Sequence, residues 1–479
     1  MRYNEYYVTI GLEIHAELNT KTKMFCGCKN DPEEKNPNVN ICPVCMAHPG
    51  SLPVMNKKAI ESVVRVGLAL NGNIHDEFSE FDRKNYFYPD IPKAYQLSQY
   101  KFPIVYGGEL SGVKITRIHL EEDTATSKHD QDPTKSLVDF NRAGVPLMEL
   151  VTEPVIHDVS QIGVFGRELQ TILRYLDVSD ANMEKGQMRV EVNISISPDP
   201  QKFGVPVEVK NINSFKAAEK AALFEIKRMT DLWEADKESE IIKETRGWDD
   251  HKEVTFSQRS KEVAEEYRYF PDPDLPKLVL KELFDIAQLR ADLPELPMQK
   301  RDRYAREYGI KTDDIENYIL DRELDTYFVS IVEQLNGNTQ KIQLASNYII
   351  SDLLGLQKKA QSENTVFIFP TINQFVELIN LLSENILSSR SAKDLLPEMN
   401  TFTKSVKEVA EERGLIQKND PEALKTIAQT VIANNEKVVA EYKAGKESVI
   451  MFLVGQFMKE SKGSANPQVA KEVLEGLLK

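Results

Sequence analysis

Four cysteines fall within twenty positions, Cys26 and Cys28 in FCGC and Cys42 and Cys45 in CPVC, and the 479-residue chain has no others. In a reducing compartment two such pairs predict four thiolates on one tetrahedral zinc, a closed structural site without an open position for chemistry. Free or redox-active thiols are the alternative. Acidic residues in unusual settings form a second group. VTIGLEIHAEL (8–18) alternates Val8, Ile10, Leu12, Ile14, Ala16 and Leu18 with Thr9, Gly11, Glu13, His15 and Glu17. One β-strand would then carry Glu13, His15 and Glu17 on a single face, about 7 Å apart per step. Glu149 lies inside the apolar run VPLMELVTEP (145–154), where an unpaired carboxylate is costly to bury. HLEED (119–123) and Glu191, on the polar side of RVEVNIS, extend the set. Glutamates with one histidine are hard ligands, suited to Mg²⁺ rather than Zn²⁺. Mg²⁺ held by carboxylates usually serves a nucleotide phosphate, which makes the implied chemistry phosphoryl transfer. Salt-bridged or exposed sheet residues are the plain alternative at each position.

Two further stretches mix cations with aromatic or amide side chains. FDRKNYFYPDIPKAYQLSQY (81–100) sets Arg83, Lys84 and Lys93 among Tyr86, Phe87, Tyr88 and Tyr95. KNINSF (210–215) sets Lys210, Asn211, Asn213 and Ser214 just after a strand. Either could grip a phosphate or the end of a tRNA by charge and stacking, a packing loop being the alternative for the first. Lys84, Lys210, Asn211, Asn213 and Ser214, together with Arg189 of RVEVNIS, are candidate nucleotide contacts. The chain has no GxxxxGK[ST] phosphate loop, no GxGxxG, no GxSxG elbow and no Gly/Ser-rich amidase segment. With its cysteines assigned to metal, it has no evident means of generating ammonia.

The elements that must position these residues follow from length and pattern. The chain is too long for one core and predicts two to four domains. Its longest apolar run, SVIMFLVGQFM, is too short for the ~18 residues of a membrane span. MRYNEYYVTI lacks the pattern of a secretory signal, so a cytoplasmic location is expected. The net charge of −15 argues against nucleic acid, but residues 401–479 carry 12 Lys+Arg against 11 Asp+Glu, so a near-neutral module exists. Residues 1–295 read as mixed α and β. RVEVNIS (189–195) and GVPVEVKN (204–211) predict a hairpin whose second strand, bearing Pro206, lies at an edge or begins late. Residues 160–176 predict a helix with Ser160 as a possible cap. ADLPELPMQK (291–300) marks a boundary. Helical spacing follows over 316–335 and 371–384, around a lone apolar run TVFIFP (365–370). A second change comes near 405. Beyond it, 421–445 predicts a long amphipathic helix capped by Asp420, with Pro421 first and Gly445 past its end. A last helix restarts after Asn466–Pro467. The expectation is an α+β chain: a domain over 1–295 with a zinc module at 26–45, a helical domain over 296–405, and a helical tail over 406–479.

The motifs IGLEIHAEL, FCGC…CPVCMAHPGSLPVMN, FDRKNYFYPDIPKAYQLSQ, HLEED, LVDFNRAGVPLMELVTEP, MEKGQMRVEVNIS, EVKNINSF and YRYFPDPDLP occur in that order. They strongly resemble the GatB family, the B subunits of aspartyl/glutamyl-tRNA amidotransferases. VGQFMKESKGSANP resembles the tail domain shared with YqeY-type proteins. The resemblance implies a cradle-shaped N-terminal domain related to the glutamine synthetase catalytic fold, then an all-α domain and a YqeY-like tail contacting tRNA. It implies a ligase that uses ATP to phosphorylate the side-chain carboxylate of Glu on tRNA(Gln) or Asp on tRNA(Asn). Ammonia, made from glutamine by the partner amidase and delivered through a channel, then displaces phosphate. A third, small protein would complete the heterotrimer, with a non-discriminating synthetase as a further partner.

The same resemblance implies that Glu13, His15, Glu122, Glu149 and Glu191 form the Mg²⁺/ATP site. At Glu122 it conflicts with the pattern, since alternation in ITRIHLEED puts Glu121 on the face of Arg117 and His119. Following the family requires a bulge or strand end to turn Glu122. Family members often carry Asp in place of Glu191, and HPGSLP departs from the usual LPG at the edge of the zinc module. Two other functions compete: a non-catalytic zinc-containing tRNA-binding scaffold, and a free-standing ligase acting on a small amino acid, which leaves the tail without a role.

Overall fold

The computed structural model describes residues 2–3, 5–75, 77–128, 134–260, 267–417, 421–461, 465 and 467–478. The expected cap Asp420 and Asn466 lie outside them. The chain divides into two compact units, Met1–Pro297 and Met298–Lys479, and the division falls inside the Pro-punctuated ADLPELPMQK. The architecture is α+β.

The first unit is built from β1 (Tyr6–Glu17), α1 (Lys57–Ala69), β2 (Asp82–Asn85), β3 (Tyr95–Ser98), β4 (Val113–Glu122) and β5 (Pro146–Thr152). It continues with α2 (Ser160–Tyr175), β6 (Met188–Ser197), β7 (Val207–Lys210), α3 (Phe215–Glu234), β8 (Glu244–Asp249), β9 (Val254–Ser260) and β10 (Arg268–Pro271). Among the described residues an eleven-stranded sheet runs β9-β8-β7-β6-β1-β5-β4 and ends in the short strands Val105–Tyr106 and Asn73–Ile74, with Arg2–Tyr3 paired to β1 and Glu109–Leu110 to β4 off this path. β1 lies between β5 and β6, antiparallel to both. Its even-numbered residues Leu12, Ile14 and Ala16 are buried with Met148 and Leu150 of β5, Val190 and Val192 of β6, and Ile118 and Leu120 of β4. Ile60, Val63 and Val64 of α1, Leu169 and Leu173 of α2, and Ala218 and Ala222 of α3 belong to the same cluster. The period of two therefore commits one face to the helices and releases the odd-numbered face for polar side chains.

Local chemistry explains where elements begin. Pro206 cannot donate to a ladder, and β7 starts one residue later. β7 is not an edge strand, because β8 pairs with its far side in parallel. Ser160 is the first residue of α2 rather than its cap. The Asp158 carboxylate accepts from the Ser160 N–H at 2.9 Å and from its hydroxyl at 2.8 Å, which satisfies an otherwise orphan donor. A second, three-stranded sheet, β10-β2-β3, meets the end of β4. There the Leu120 N–H donates to Gln99 Oε1 at 3.1 Å, and Gln96 Nε2 donates to the Glu122 carbonyl at 2.8 Å.

The second unit is helical among its described residues and holds two hydrophobic clusters. One runs from Tyr304 to Ala410 around a stacked Tyr318–Phe328 pair, the other from Leu424 to Leu478 around Leu453, Phe457 and Leu474. TVFIFP forms no strand, and Phe367 and Phe369 pack against the first cluster. The expected single helix over 421–445 is two, Pro421–Asn434 and Glu436–Lys443, broken at Asn435, whose φ of −131° and ψ of 40° leave the helical region. Gly445 follows the second with φ +97°, a left-handed stop. No helix among the described residues is long and apolar enough to cross a membrane.

The centre of the sheet should be the mechanical weak point of the first unit. Ile14→Ala, at a fully buried position, is expected to cost about 2–5 kcal/mol. Val164→Ala, at a half-exposed position on α2, should stay within about 0.5 kcal/mol. Denaturant midpoints of the two variants check this.

Candidate functional site

On the odd-numbered face, strand register assembles the polar residues. His15 stands opposite Glu149 on one side and Arg189 on the other, Glu13 stands opposite Glu191, and Glu149 stands opposite His119. The His15 imidazole is the hub. Its Nε2 lies 3.4 Å from Glu149 Oε2, 3.5 Å from Glu121 Oε1 and 3.8 Å from Glu13 Oε1. Two ligand groups share this histidine, Glu13–His15–Glu191 and His15–Glu121–Glu149, each with donor atoms within 4.8 Å of one another. Cations close the rim. Lys210 Nζ is 2.7 Å from Glu191 Oε2, Arg117 Nη2 is 3.7 Å from Glu149 Oε1, and Lys84 Nζ is 4.0 Å from Glu121 Oε2.

The electrostatics are those of crowded, buried acids. Burial and repulsion from Glu149 and Glu191 push Glu13 up to about 7. Burial pushes Glu149 the same way, but His119 and His15 outweigh it and hold the carboxyl well below its usual range. Burial opposes a charge on His15, yet its hydrogen bonds to Glu121 and Glu149 raise it well above the ordinary histidine value. Glu121 Oε2 is buried and makes no hydrogen bond. An orphaned acceptor within a set of carboxylate oxygens and one imidazole fits a hard dication such as Mg²⁺, for which Glu13, His15, Glu121, Glu149 and Glu191 are the available ligands.

Four of the five expected ligands, Glu13, His15, Glu149 and Glu191, come together. Glu122 does not. No bulge interrupts β4 near its end, where Leu147 pairs with Glu121 and Pro146 with Glu122, so alternation holds and Glu122 turns to the opposite side. There it accepts from the Leu97 N–H at 3.0 Å and pairs with Lys93. Glu121 takes the place in the cluster. Lys84, Arg189 and Lys210 do border the acids, Arg189 through a 2.5 Å contact from Nη2 to the buried Asp123. Ser214 caps α3 by accepting from the Ala217 N–H, and Asn211 donates to the Trp248 carbonyl at 3.0 Å. These two therefore already have structural partners, while Asn213 is exposed. Alternation in ITRIHLEED already places Glu121 with His119 and Arg117, and only following the family at Glu122 sets that face aside; Arg117 alone is not among the candidates. Its odd parity on β4, shared with the other two, was the signal that could have found it.

The four cysteine sulfurs also lie within 4.8 Å of one another. Cys42 and Cys45 Sγ are 3.8 Å apart, matching the roughly 3.8 Å edge of a tetrahedron with Zn–S near 2.3 Å. The Cys26 thiol hydrogen bond and the nearby Lys23 ammonium hold the Cys45 thiol down to about 5. Lys23 is fully buried and donates to the Phe140 carbonyl at 3.0 Å. The Cys45 hydrogen bond and burial push the Cys26 thiol up, and burial pushes Cys28 up to about 11, so it is the four-sulfur donor set and its spacing that fit zinc. The module is tied to the rest of the unit through Met24 N–H to the Gly144 carbonyl at 2.7 Å and through Asn56, which donates to the Thr22 and Lys23 carbonyls.

Residues 8–284 match the family described as GatB/GatE catalytic domain, and residues 330–478 that described as GatB domain. The chain is 43% identical to the B subunit of the aspartyl/glutamyl-tRNA(Asn/Gln) amidotransferase of Caldicellulosiruptor bescii, with 98% of each chain covered. Against the protein of the same name from Persephonella marina it is 42% identical, over 99% of this chain and 100% of the relative. For Thermotoga maritima the figures are 41% identity, 100% and 99%.

Glu121→Gln should weaken Mn²⁺ binding, read by electron paramagnetic resonance as a stand-in for Mg²⁺, by about tenfold or more. Glu122→Gln should leave it within about twofold. Metal analysis should return about one zinc per chain, lost in Cys42→Ser, and chelation should lower the melting temperature.

Proposed function

Since this chain belongs to the GatB family of amidotransferase B subunits, we propose that it transamidates misacylated tRNA. ATP phosphorylates the side-chain carboxylate of glutamate on tRNA(Gln), or of aspartate on tRNA(Asn), and ammonia then displaces the phosphate to leave the amide. The observation that carries this reading is the convergence of Glu13, His15, Glu121, Glu149 and Glu191 on one sheet face, ringed by Lys84, Arg117, Arg189 and Lys210. Attack of a carboxylate on a phosphate brings two anions together, so the site must supply positive charge and fixed positions. The acids would hold Mg²⁺, which when bound neutralises charge on the phosphate oxygens. Lys84, Arg189 and Lys210 reach the same face and are assigned to the ATP phosphates. Strand pairing on both sides of β1 keeps these groups from rearranging as charge moves.

The remaining assignments follow the family. The first unit takes the part of the cradle related to the glutamine synthetase catalytic fold, with zinc as a structural staple. The helical domain expected over 296–405 reaches further, since Val406, Val409 and Ala410 belong to its hydrophobic cluster, and the tail assigned to tRNA contact is built on the Leu424–Leu478 cluster. Ammonia comes from a partner glutaminase, the amidase of the complex, and a third, small protein completes the heterotrimer. A non-discriminating synthetase supplies the misacylated tRNA in the cytoplasm.

The chain assembled with its amidase and small partners should release phosphate from ATP in response to Glu-tRNA(Gln) or Asp-tRNA(Asn) and convert the aminoacyl group to its amide. The double variant Glu13→Ala, His15→Ala should lose both activities while the partner's glutamine hydrolysis persists. Phosphate release that is unaffected by this variant would favour the scaffold alternative.

A further inference from the structure

Beside the acidic cluster stands a set of tyrosines that the chemistry above does not use. On the small sheet, Tyr269 of β10 pairs with Lys84 of β2, so both project from the face that meets Glu121. Tyr267, two residues earlier, shares that face. Tyr100 completes the group: its ring stacks on Tyr269 with centroids 4.7 Å apart and planes at 21°. Tyr267 meets Tyr269 edge-on at 6.5 Å. Two cations join this wall to the cluster. Lys84 Nζ lies 5.0 Å from the Tyr267 ring centre and 4.0 Å from Glu121, and Arg117 lies 5.8 Å from the Tyr100 ring centre and 3.7 Å from Glu149. Arg117 Nε is buried and makes no hydrogen bond.

Aromatic rings with exposed edges and faces, cations at their base and a reaction centre beyond are what a single-stranded nucleotide needs: stacking for the base, charge for the phosphate. Tyr100 is 56% and Tyr267 48% exposed. Small-nucleotide sites enclose about 70–90% of their ligand, and a wall this open does not. A polymer end held by contacts elsewhere tolerates such exposure. The amino acid to be modified is esterified to the terminal ribose, so the terminal base is the recognisable group that must lie nearest the cluster.

We propose that Tyr100, Tyr267 and Tyr269, with Arg117 at their base, form the stacking platform for the 3′-terminal nucleotide of the substrate RNA. This rests on the transamidase reading. The test uses the chain assembled with its amidase and small partners and tRNA(Gln) carrying 2-aminopurine in place of its terminal adenine. Wild type should quench the probe on binding. It should also bind this RNA about five- to tenfold more tightly than one lacking the last nucleotide, the size of one base–aromatic stack. Tyr100→Leu, Tyr269→Leu should lose both the quench and the discrimination, with fluorescent Mg-ATP binding unchanged. Tyr100→Phe, Tyr269→Phe should keep all three, because a phenyl ring stacks as well. Wild-type binding without quenching, or loss of both effects in the Phe variant, overturns the platform and leaves the proposed function standing. Loss of ATP binding in the Leu variant, with quenching intact, overturns it by assigning the wall to ATP. Failure of the wild-type complex to bind the RNA at all overturns both readings.

Discussion

Everything in the first unit answers to one constraint: four carboxylates gathered around one imidazole at the centre of a sheet. Two like charges 4 Å apart repel by about 4 kcal/mol even at an effective dielectric constant near 20. Glu13, Glu121, Glu149 and Glu191 cannot all be ionised at that range without compensating charge. The protein compensates locally, with a raised affinity of His15 for its proton and a partly neutralised Glu13. It also compensates at the rim, with Lys84, Arg117 and Lys210. A cluster that needs this much positive charge is predisposed to take a dication and, after it, a phosphate.

Such an arrangement is held against its own repulsion by the sheet. β1 pairs with β6 from Tyr7 to Ala16 and with β5 from Glu13 to Glu17, so the stretch bearing Glu13 and His15 is held on both sides, and its apolar residues share one core with three helices. A one-residue slip in β5 or β6 would send Glu149 or Glu191 into that core, so burial of Met148, Leu150, Val190 and Val192 enforces the register the site requires. The cysteine module contributes from the side. Backbone and Asn56 hydrogen bonds fasten the segment after β1 to Gly144, just before β5. Two adjacent strands of the cluster are thereby tied together near their ends, and metal at the four thiolates would stiffen that tie without touching the reaction.

The small sheet performs a different task. It brings β2 and β10, far apart in sequence, to the edge of the acidic face, and with them a lysine and several tyrosines. The long segment between β9 and the helical unit thus returns to the site. The acids gather on the large sheet, and the tyrosines stand beside them on the small one.

Much of this was legible in residue order. Alternation in VTIGLEIHAEL and RVEVNIS sufficed for two strands and for the faces of Glu13, His15 and Glu191, because a period of two needs only local information, whereas VPLMELVTEP read only as an apolar run with Glu149 inside it. The CxC and CxxC pairs pointed to the four sulfurs that folding brings within 4.8 Å of one another, and the division of the chain into two units falls inside the Pro-punctuated segment near 295. Which acids meet was settled only by folding. Pairing register is a non-local property set by the burial of even-numbered residues on three strands, so the choice of Glu121 over Glu122 depended on regular pairing of β4 from Arg117 to Glu122, past the register shift at Thr116. Folding likewise brought Tyr100 and Tyr269, separated by more than half the first unit, into one stack. No spacing along a chain encodes such contacts, since they exist only once the core has fixed where each strand lies.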